Sequence, residues 1–170
     1  LAESWSHHRN RPIKEVVEFL EKTNKTSLIL DLGSGTGRNF VQGFDYVAVD
    51  VSANMIRHAQ KVAKRKQIEM IGIVADSKKL PFLDNSFDSV ICIAVIHCIE
   101  NERQKAVEEI YRTMKKGGRA LIIVWNRQQP KFWFLKKQIY EPWTTGGKTY
   151  IRYYHLYSKE ELRKSLESAG

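Results

Sequence analysis

A glycine-rich loop follows a short apolar run and forms the first candidate ligand site. The run ends in Leu30-Asp31-Leu32, and Gly33-Ser34-Gly35-Thr36-Gly37 follows it. Glycines at this spacing allow a sharp turn and a close approach of ligand to backbone. The spacing is GxGxG, whereas dinucleotide pyrophosphate sites carry GxGxxG. We therefore expect a ligand without a pyrophosphate, in contact with Gly33, Ser34, Gly35 and Gly37, and we expect Asp31 to meet a ligand ammonium group.

Two further carboxylates end the next two apolar runs. Asp50 ends the run Tyr46–Asp50, where its oxygens can accept both hydroxyls of a ribose. Asp76 follows Met70–Ala75, where it can accept from an adenine amino group beside the backbone N–H of Ser77. Each acid alone also fits a plain structural role, a helix cap or a surface turn. With Asp31, however, they place three acids at the ends of consecutive runs.

The elements that must position these acids alternate along the chain. Strand patterns cover Ser27–Leu32, Tyr46–Asp50, Met70–Ala75, Phe87–Ile96 and Arg119–Trp125, and helical patterns lie between them, including Glu102–Lys116, which Gly117-Gly118 is expected to end. The sequence Ser158-Lys159-Glu160-Glu161 predicts a capping box for a last helix. This alternation predicts an α/β fold, a doubly wound, mostly parallel, Rossmann-like sheet with helices on both faces. Ligands of such sheets lie beyond the carboxyl ends of the strands.

One domain is expected over residues 1–170. It divides into an N-terminal helix region (1–26), a cofactor-binding core (27–125) and a substrate-side segment (126–170). The C-terminal strands that normally complete a doubly wound sheet are expected to be missing.

Composition indicates a partner class more than a fold. The chain has 170 residues with a net charge of +9, and such an excess suits a polyanion such as nucleic acid. No apolar run approaches the ~18 residues of a membrane span, so no membrane partner is expected. Cys92 and Cys98 lack metal-binding spacing and are expected to be buried free thiols of a cytoplasmic protein.

The three acids and the glycine loop resemble the cofactor site of class I methyltransferases, and the similarity covers residues 28–125. These enzymes bind S-adenosylmethionine (AdoMet), which has no phosphates and would present its amino-acid end to the loop. The resemblance implies AdoMet as cofactor, with Val51 and Ile93 beside the acids and no metal.

Further motifs resemble one family, the tRNA wobble-uridine 5-carboxymethyl methyltransferases, which form the methyl ester of 5-carboxymethyluridine. The similarity spans nearly the whole chain through Ser6-His7-His8-Arg9, Ile93-Ala94-Val95-Ile96-His97, Gly117-Gly118, Gln128-Gln129, Pro142-Trp143 and Arg152-Tyr153-Tyr154-His155-Leu156-Tyr157. Two positions depart from the family pattern: Cys98 stands where a second His is usual, and Ile13 where Trp is usual.

The family reaction implies roles for the remaining candidates. The acceptor carboxylate is ionised at pH 7, so a cation that orients it matters more than a base. Arg9, Arg152 and His97 are the catalytic candidates, and Arg11, Trp143, Tyr154 and His155 are the substrate-binding candidates. The anticodon loop of tRNA is the expected partner, and the resemblance also implies a small zinc-ribbon activator that pairs along a sheet edge. For His97 the alternative is a core histidine with a backbone partner, and Trp125 is expected in the core.

Three other functions remain open at this point. A methyltransferase acting on a small molecule would share the cofactor site but leave the charge unexplained. A nonenzymatic RNA-binding module would be expected to have lost the acids. A nicotinamide-dependent oxidoreductase would need GxGxxG and a separate substrate domain.

Overall fold

A computed structural model describes residues 11–145 and 147–170. The segment Ser6–Arg9, and with it the catalytic candidate Arg9, lies outside the described residues. No helix within the described ranges is long and apolar enough to cross a membrane.

Five parallel strands form the central sheet. They are β1 (Leu28–Leu32), β2 (Asp45–Asp50), β3 (Met70–Val74), β4 (Phe87–Ile93) and β5 (Met114–Ile123), in the order β3-β2-β1-β4-β5. The order reverses direction between β1 and β4, which creates a switch point at their carboxyl ends. The predicted doubly wound α/β fold is confirmed.

Helices cover both faces of this sheet. Helices α1 (Lys14–Glu21) and α2 (Ala53–Lys66) pack on one face, and α3 (Arg103–Thr113) and α4 (Lys159–Glu167) pack on the other. The side chains of β1 alternate between the two cores, with Ile29 in the first and Leu30 in the second. Because both faces are covered, the central strands are almost wholly apolar. Asp31 is the exception in β1.

A two-stranded antiparallel sheet follows β5 and was not expected from the sequence. Strands β6 (Gln138–Thr145) and β7 (Lys148–His155) pair so that Glu141 faces Arg152 and Trp143 faces Tyr150. A third apolar cluster holds it against the end of β5, where Trp125 packs on Tyr154.

Three elements differ from the sequence predictions by more than one residue at a boundary. The fourth strand ends at Ile93, because Ala94 takes a left-handed φ of 61° and a short 3-10 turn, Ile96–Cys98, follows. Helix α3 ends at Thr113 and not at the glycine pair. The next residue, Met114, is extended and already pairs with Phe87 at the start of β4. The fifth strand therefore begins earlier and ends at Ile123, and Gly117-Gly118 lies at a register shift within it.

The last helix begins as predicted but with half of the expected capping box. The Ser158 hydroxyl accepts from the Glu161 N–H at 3.1 Å. The Glu161 carboxylate instead binds Lys137 and His155, both at 2.8 Å. This carboxylate ties the two-stranded sheet to α4.

Candidate active site

A cavity of about 340 Å³ opens beyond the carboxyl ends of β1, β2, β3 and β4. This is the switch-point position at which open α/β sheets bind ligands. Its lining comes from the residues that follow each strand, namely Leu32, Gly33, Val49, Asp50, Val51, Ala75, Asp76, Ser77, Ala94, Val95, Cys98 and Ile99. The second and third predicted acids therefore share one cavity with the glycine loop.

Asp50 joins the glycine loop to the end of β2. Its Oδ2 accepts from the Gly35 N–H at 3.0 Å, and its Oδ1 accepts from the Ser52 N–H at 2.9 Å. The N–H groups of Gly33 and Ser34 donate to the carbonyl of Val49 at 2.7 and 3.0 Å. These bonds fix the loop against β2 and orient the Asp50 carboxylate while leaving lone pairs on its oxygens for hydroxyl donors.

Two glycines of the loop are needed for different reasons. Gly33 has a φ of 68°, and a Cβ there would lie 2.2 Å from Cγ2 of Val95. A side chain would therefore both strain the backbone and collide with the cavity wall. At Gly35, with a φ of 54°, a Cβ would meet nothing within 4 Å. Open space thus lies above this glycine, next to Asp50.

Asp31 is buried beneath the loop without a partner for one of its oxygens. Its side chain is 1% exposed, and Oδ2 makes no hydrogen bond. Burial, with a smaller contribution from the charge of Asp50, raises the pKa of Asp31 to about 7. The buried Ser34 hydroxyl also lacks a partner. Unsatisfied buried polar atoms are rare and costly, so this pair indicates a polar or cationic ligand group that satisfies them.

Asp76 and Ser77 lie across the cavity from the loop. Asp76 is half-exposed, and its Oδ1 accepts from the backbone N–H of Lys78 at 2.9 Å. That bond belongs to a surface turn, which was the alternative reading of this residue, yet the turn lies in the cavity wall. Val51 is exposed beside Asp50 and offers apolar surface for a ligand to cover.

The antiparallel sheet brings a cation to the cavity edge. The Arg152 guanidinium lies over the Trp143 ring, with Cζ 4.2 Å from the ring centroid. Its charge also acts on Cys98, which lines the cavity. Although Cys98 borders the open cavity, partial desolvation raises the pKa of its thiol to about 11, against a lowering influence of Arg152. Trp143 and Arg152, both predicted from the sequence, therefore form one pair near the ligand cavity.

Comparison with known proteins agrees with this geometry. Residues 30–122 match a family model described as a methyltransferase domain. A tRNA (carboxymethyluridine(34)-5-O)-methyltransferase of Schizosaccharomyces pombe is 31% identical, over 100% of this chain and 84% of its own length.

The chain belongs to this methyltransferase family.

A relative of the same name from Arabidopsis thaliana is 34% identical over 89% of the chain, which spans only 36% of that protein's length. Among solved structures, a SAM-dependent methyltransferase from Methanosarcina mazei superposes with a TM-score of 0.76 at 17% identity, covering 93% of this chain and 84% of that one. This likeness confirms the class I methyltransferase fold.

AdoMet is the cofactor of this methyltransferase, and the described residues fit it. The unpartnered Asp31 and Ser34 suit its charged amino-acid end, the open space at Gly35 leaves room beside Asp50, and the Asp76 turn closes the far wall. When bound, AdoMet supplies an electrophilic methyl group on a sulfonium. The chain would hold the cofactor through the residues at the ends of β1, β2 and β3.

His97 lies in the environment of a core histidine with a backbone partner, which was the alternative to its catalytic role. It is 1% exposed, and its Nδ1 accepts from the backbone N–H of Trp125 at 3.3 Å. Burial, with a smaller contribution from His155, lowers the pKa of His97 to about 4. The imidazole is therefore neutral at pH 7 and stacks on Trp125, with ring centroids 5.3 Å apart. Trp125 itself packs in the third cluster, as expected.

Two substrate-binding candidates are also buried. Tyr154 stacks on Trp125 with ring centroids 4.3 Å apart. His155 is bound through Nε2 to Glu161, and burial is the main cause that lowers its pKa. Both side chains hold the antiparallel sheet in place, and contact of Tyr154 or His155 with substrate stays a prediction.

Other predicted residues lie apart from the cavity wall. Ile93 packs partly against the α1/α2 core, one residue before the wall begins. Arg11 is exposed, and its carbonyl accepts from Arg38 Nε at 2.8 Å. Of the cysteines, Cys92 is buried as expected, whereas Cys98 is exposed, contrary to the prediction.

Sequence reasoning missed part of the cavity wall. Ala94, Val95 and Ile99 line it together with Cys98, because the chain turns away from the sheet directly after Ile93. The left-handed Ala94 produces that turn. An apolar run longer than its neighbouring strands was the only signal that could have suggested it.

Proposed function

We propose that this methyltransferase acts on tRNA and transfers the methyl of AdoMet to the carboxylate of 5-carboxymethyluridine at the wobble position, forming the methyl ester. The observation that supports this acceptor most directly is Arg152, whose guanidinium lies over Trp143 and whose strand, β7, contacts the Ile96–Cys98 turn at the cofactor cavity. The names of the curated relatives point to the same acceptor.

The chemistry needs positioning and no proton transfer. A carboxylate has a pKa near 4 and is ionised at pH 7. One of its oxygens forms the new O–CH₃ bond with its own electron pair while the S–CH₃ bond breaks, and S-adenosylhomocysteine leaves. No general base is required, which agrees with a His97 that is buried and bound to the backbone.

Arg152 is suited to hold the acceptor. Its planar fork can bind a carboxylate through parallel N–H donors. Its Cζ lies 4.2 Å from the centroid of the Trp143 ring, so the ring limits the positions that the guanidinium can take. An oriented acceptor removes much of the entropic barrier to an in-line transfer. Arg9 remains a proposed second cation for the same carboxylate.

A zinc-ribbon activator is a further part of the proposal. Strand β3 pairs only with β2, so its other edge is open within the described sheet. Ile71 and Val74 on this strand are exposed. An open edge with apolar side chains favours pairing with a strand of another chain.

The test is methyl transfer from labelled AdoMet to bulk tRNA that carries 5-carboxymethyluridine, followed by nucleoside analysis. The reaction is run with and without the zinc-ribbon protein of the same organism. We expect the methyl ester at the wobble uridine and no label on tRNA whose uridine lacks the carboxymethyl group. AdoMet binding without any labelling of the carboxymethylated tRNA, with the partner present, would refute the acceptor.

A further inference from the structure

The segment from Asn126 to His155 differs from the rest of the chain in charge and aromatic content. It holds six Lys or Arg and one Glu, a net +5 of the chain's +9. It also holds eight of the chain's Phe, Trp and Tyr residues, whose total is 18. Basic residues interleaved with aromatic ones are the composition of surfaces that bind unpaired nucleotides.

Two neighbouring aromatic rings of this segment face solvent. Trp133 is 64% exposed and Phe134 is 97% exposed. They follow a 3-10 turn, Pro130–Phe132, and we call this pair the aromatic tip. Large apolar side chains exposed side by side indicate a surface that binds something.

The turn that carries the aromatic tip is anchored at several points. Phe132 is buried in the third cluster and anchors the turn. The Trp133 indole N–H donates to the carbonyl of Gln128 at 2.8 Å, and the backbone N–H of Leu135 donates to the Phe132 carbonyl at 3.0 Å. An indole ring that is fixed before binding loses little conformational entropy when a flat partner stacks on it.

A ring stack runs from the active site to the residue that precedes the aromatic tip. Trp125 lies between His97 and Phe132, with ring centroids 5.3 and 5.5 Å away. His97 immediately precedes Cys98 of the cofactor cavity. The aromatic tip thus directly follows Phe132, the outer ring of a stack that begins beside the cofactor cavity.

Two lysines close to the aromatic tip in the sequence lack carboxylate partners among the described residues. The Lys131 ammonium lies over the Phe132 ring at 4.4 Å from its centroid. Within residues 11–145 and 147–170, neither Lys131 nor Lys136 forms an ion pair, whereas Lys137 pairs with Glu161. Positive charge next to exposed rings matches an RNA strand, which offers phosphates and base faces together.

We infer that the aromatic tip is a stacking platform for unpaired nucleotides next to the modified base, with Lys131 and Lys136 at the neighbouring phosphates. The inference rests on the proposed tRNA substrate and adds how the single-stranded loop is recognised. The inference predicts that the protein binds unpaired RNA more tightly than duplex RNA. This preference should require an aromatic ring at the tip, and an aliphatic side chain of similar size should not replace it.

The test measures binding of two fluorescent RNAs, a short hairpin with an unpaired loop and a blunt duplex of equal length, to the full chain. Trp133→Leu and Phe134→Leu keep apolar bulk but remove the ring face. We expect each to weaken hairpin binding roughly tenfold, as base–aromatic stacking does. Binding of the duplex and of AdoMet should not change.

Matched variants serve as controls. Trp133→Phe and Phe134→Tyr keep a ring face and should retain hairpin affinity. Leu83, which is 84% exposed in the loop leading into β4, provides a control away from the tip, and Leu83→Ala should bind both RNAs like wild type.

The outcomes separate this inference from the proposed function. If carboxymethylated tRNA is methylated but the leucine variants bind the hairpin like wild type, the platform is wrong and the reaction stands. If the ring-dependent preference holds but no tRNA is methylated, the platform stands and the acceptor is wrong. The inference would be overturned if no variant changed RNA binding while wild type and the leucine variants all bound phosphatidylserine vesicles. That result would assign the aromatic tip to a membrane surface.

Discussion

Asp31→Asn should stabilise the protein without AdoMet while weakening AdoMet binding. The pKa of Asp31 rises from 3.8 in the unfolded reference to about 7 in the folded protein. An acid of this kind ionises first in the unfolded chain, so its effect on native stability becomes more unfavourable as pH rises from about 4 to about 7. With about 1.4 kcal/mol per pKa unit, the raised pKa costs on the order of 4 kcal/mol of native stability at pH 8 and roughly 1.5 kcal/mol at pH 5, where only the unfolded chain is ionised. The amide has the same shape and removes this charge.

Urea unfolding of wild type and Asp31→Asn at pH 5 and pH 8 measures this difference. We expect the stability gained by the variant to be larger by about 2 to 3 kcal/mol at pH 8 than at pH 5. Asp88→Asn is the matched control. Asp88 is paired with Lys115 and accepts from the Leu28 N–H, which lowers its pKa, so that variant should lose stability equally at both pH values. AdoMet should then raise wild-type stability more than that of Asp31→Asn. An equal gain at both pH values, or full AdoMet affinity in Asp31→Asn, would refute the assignment of Asp31 to the cofactor ammonium.

Three further substitutions test the rest of the site. Gly33→Ala should lose about 2 kcal/mol or more in urea unfolding, because its φ of 68° and the contact of 2.2 Å with Val95 both penalise a Cβ. An unchanged unfolding midpoint would contradict this. Arg152→Lys keeps the charge but loses the fork, so methyl transfer should fall at least about tenfold while AdoMet affinity, measured by calorimetry, stays the same. Loss of AdoMet binding would instead remove Arg152 from the acceptor site. His97→Asn should lower thermal stability but leave the pH dependence of the rate unchanged from pH 5 to 8, because a pKa of about 4 keeps His97 neutral there. A rate inflection near pH 6.5 that disappears in this variant would restore a catalytic role.

The cofactor side of the site could be predicted from the sequence because it follows from strand ends. Each buried parallel strand is an apolar run, and the residue that ends the run lies at the carboxyl edge of the sheet. Asp50 and Asp76 follow this rule and line the cavity. Asp31 lies one residue before the end of β1, and its burial adds a charge effect that no sequence pattern could give.

The substrate side could not be predicted in the same way because the antiparallel sheet decides what is buried there. Strand β6 contains Pro142 and alternates little, which conceals it from pattern analysis. Proline is tolerated because β6 lies at the edge of a two-stranded sheet. Tyr154 and His155, which the family resemblance placed at the substrate, are buried at the end of β7. Trp133 and Phe134, which the sequence left without a role, are exposed.

Asp50 and Asp31 should evolve differently in a copy of this protein that no longer needs catalytic activity. Asp50 holds Gly35 and Ser52 through both of its oxygens, so selection for folding alone would retain it. Asp31 opposes folding when no cofactor is bound, and an amide or apolar residue at this position would improve a protein that no longer transfers methyl groups. Among duplicated copies of this gene, Asp31 is therefore the better indicator of a working enzyme. Asp50, the acid predicted to bind the ribose, would be retained in either case.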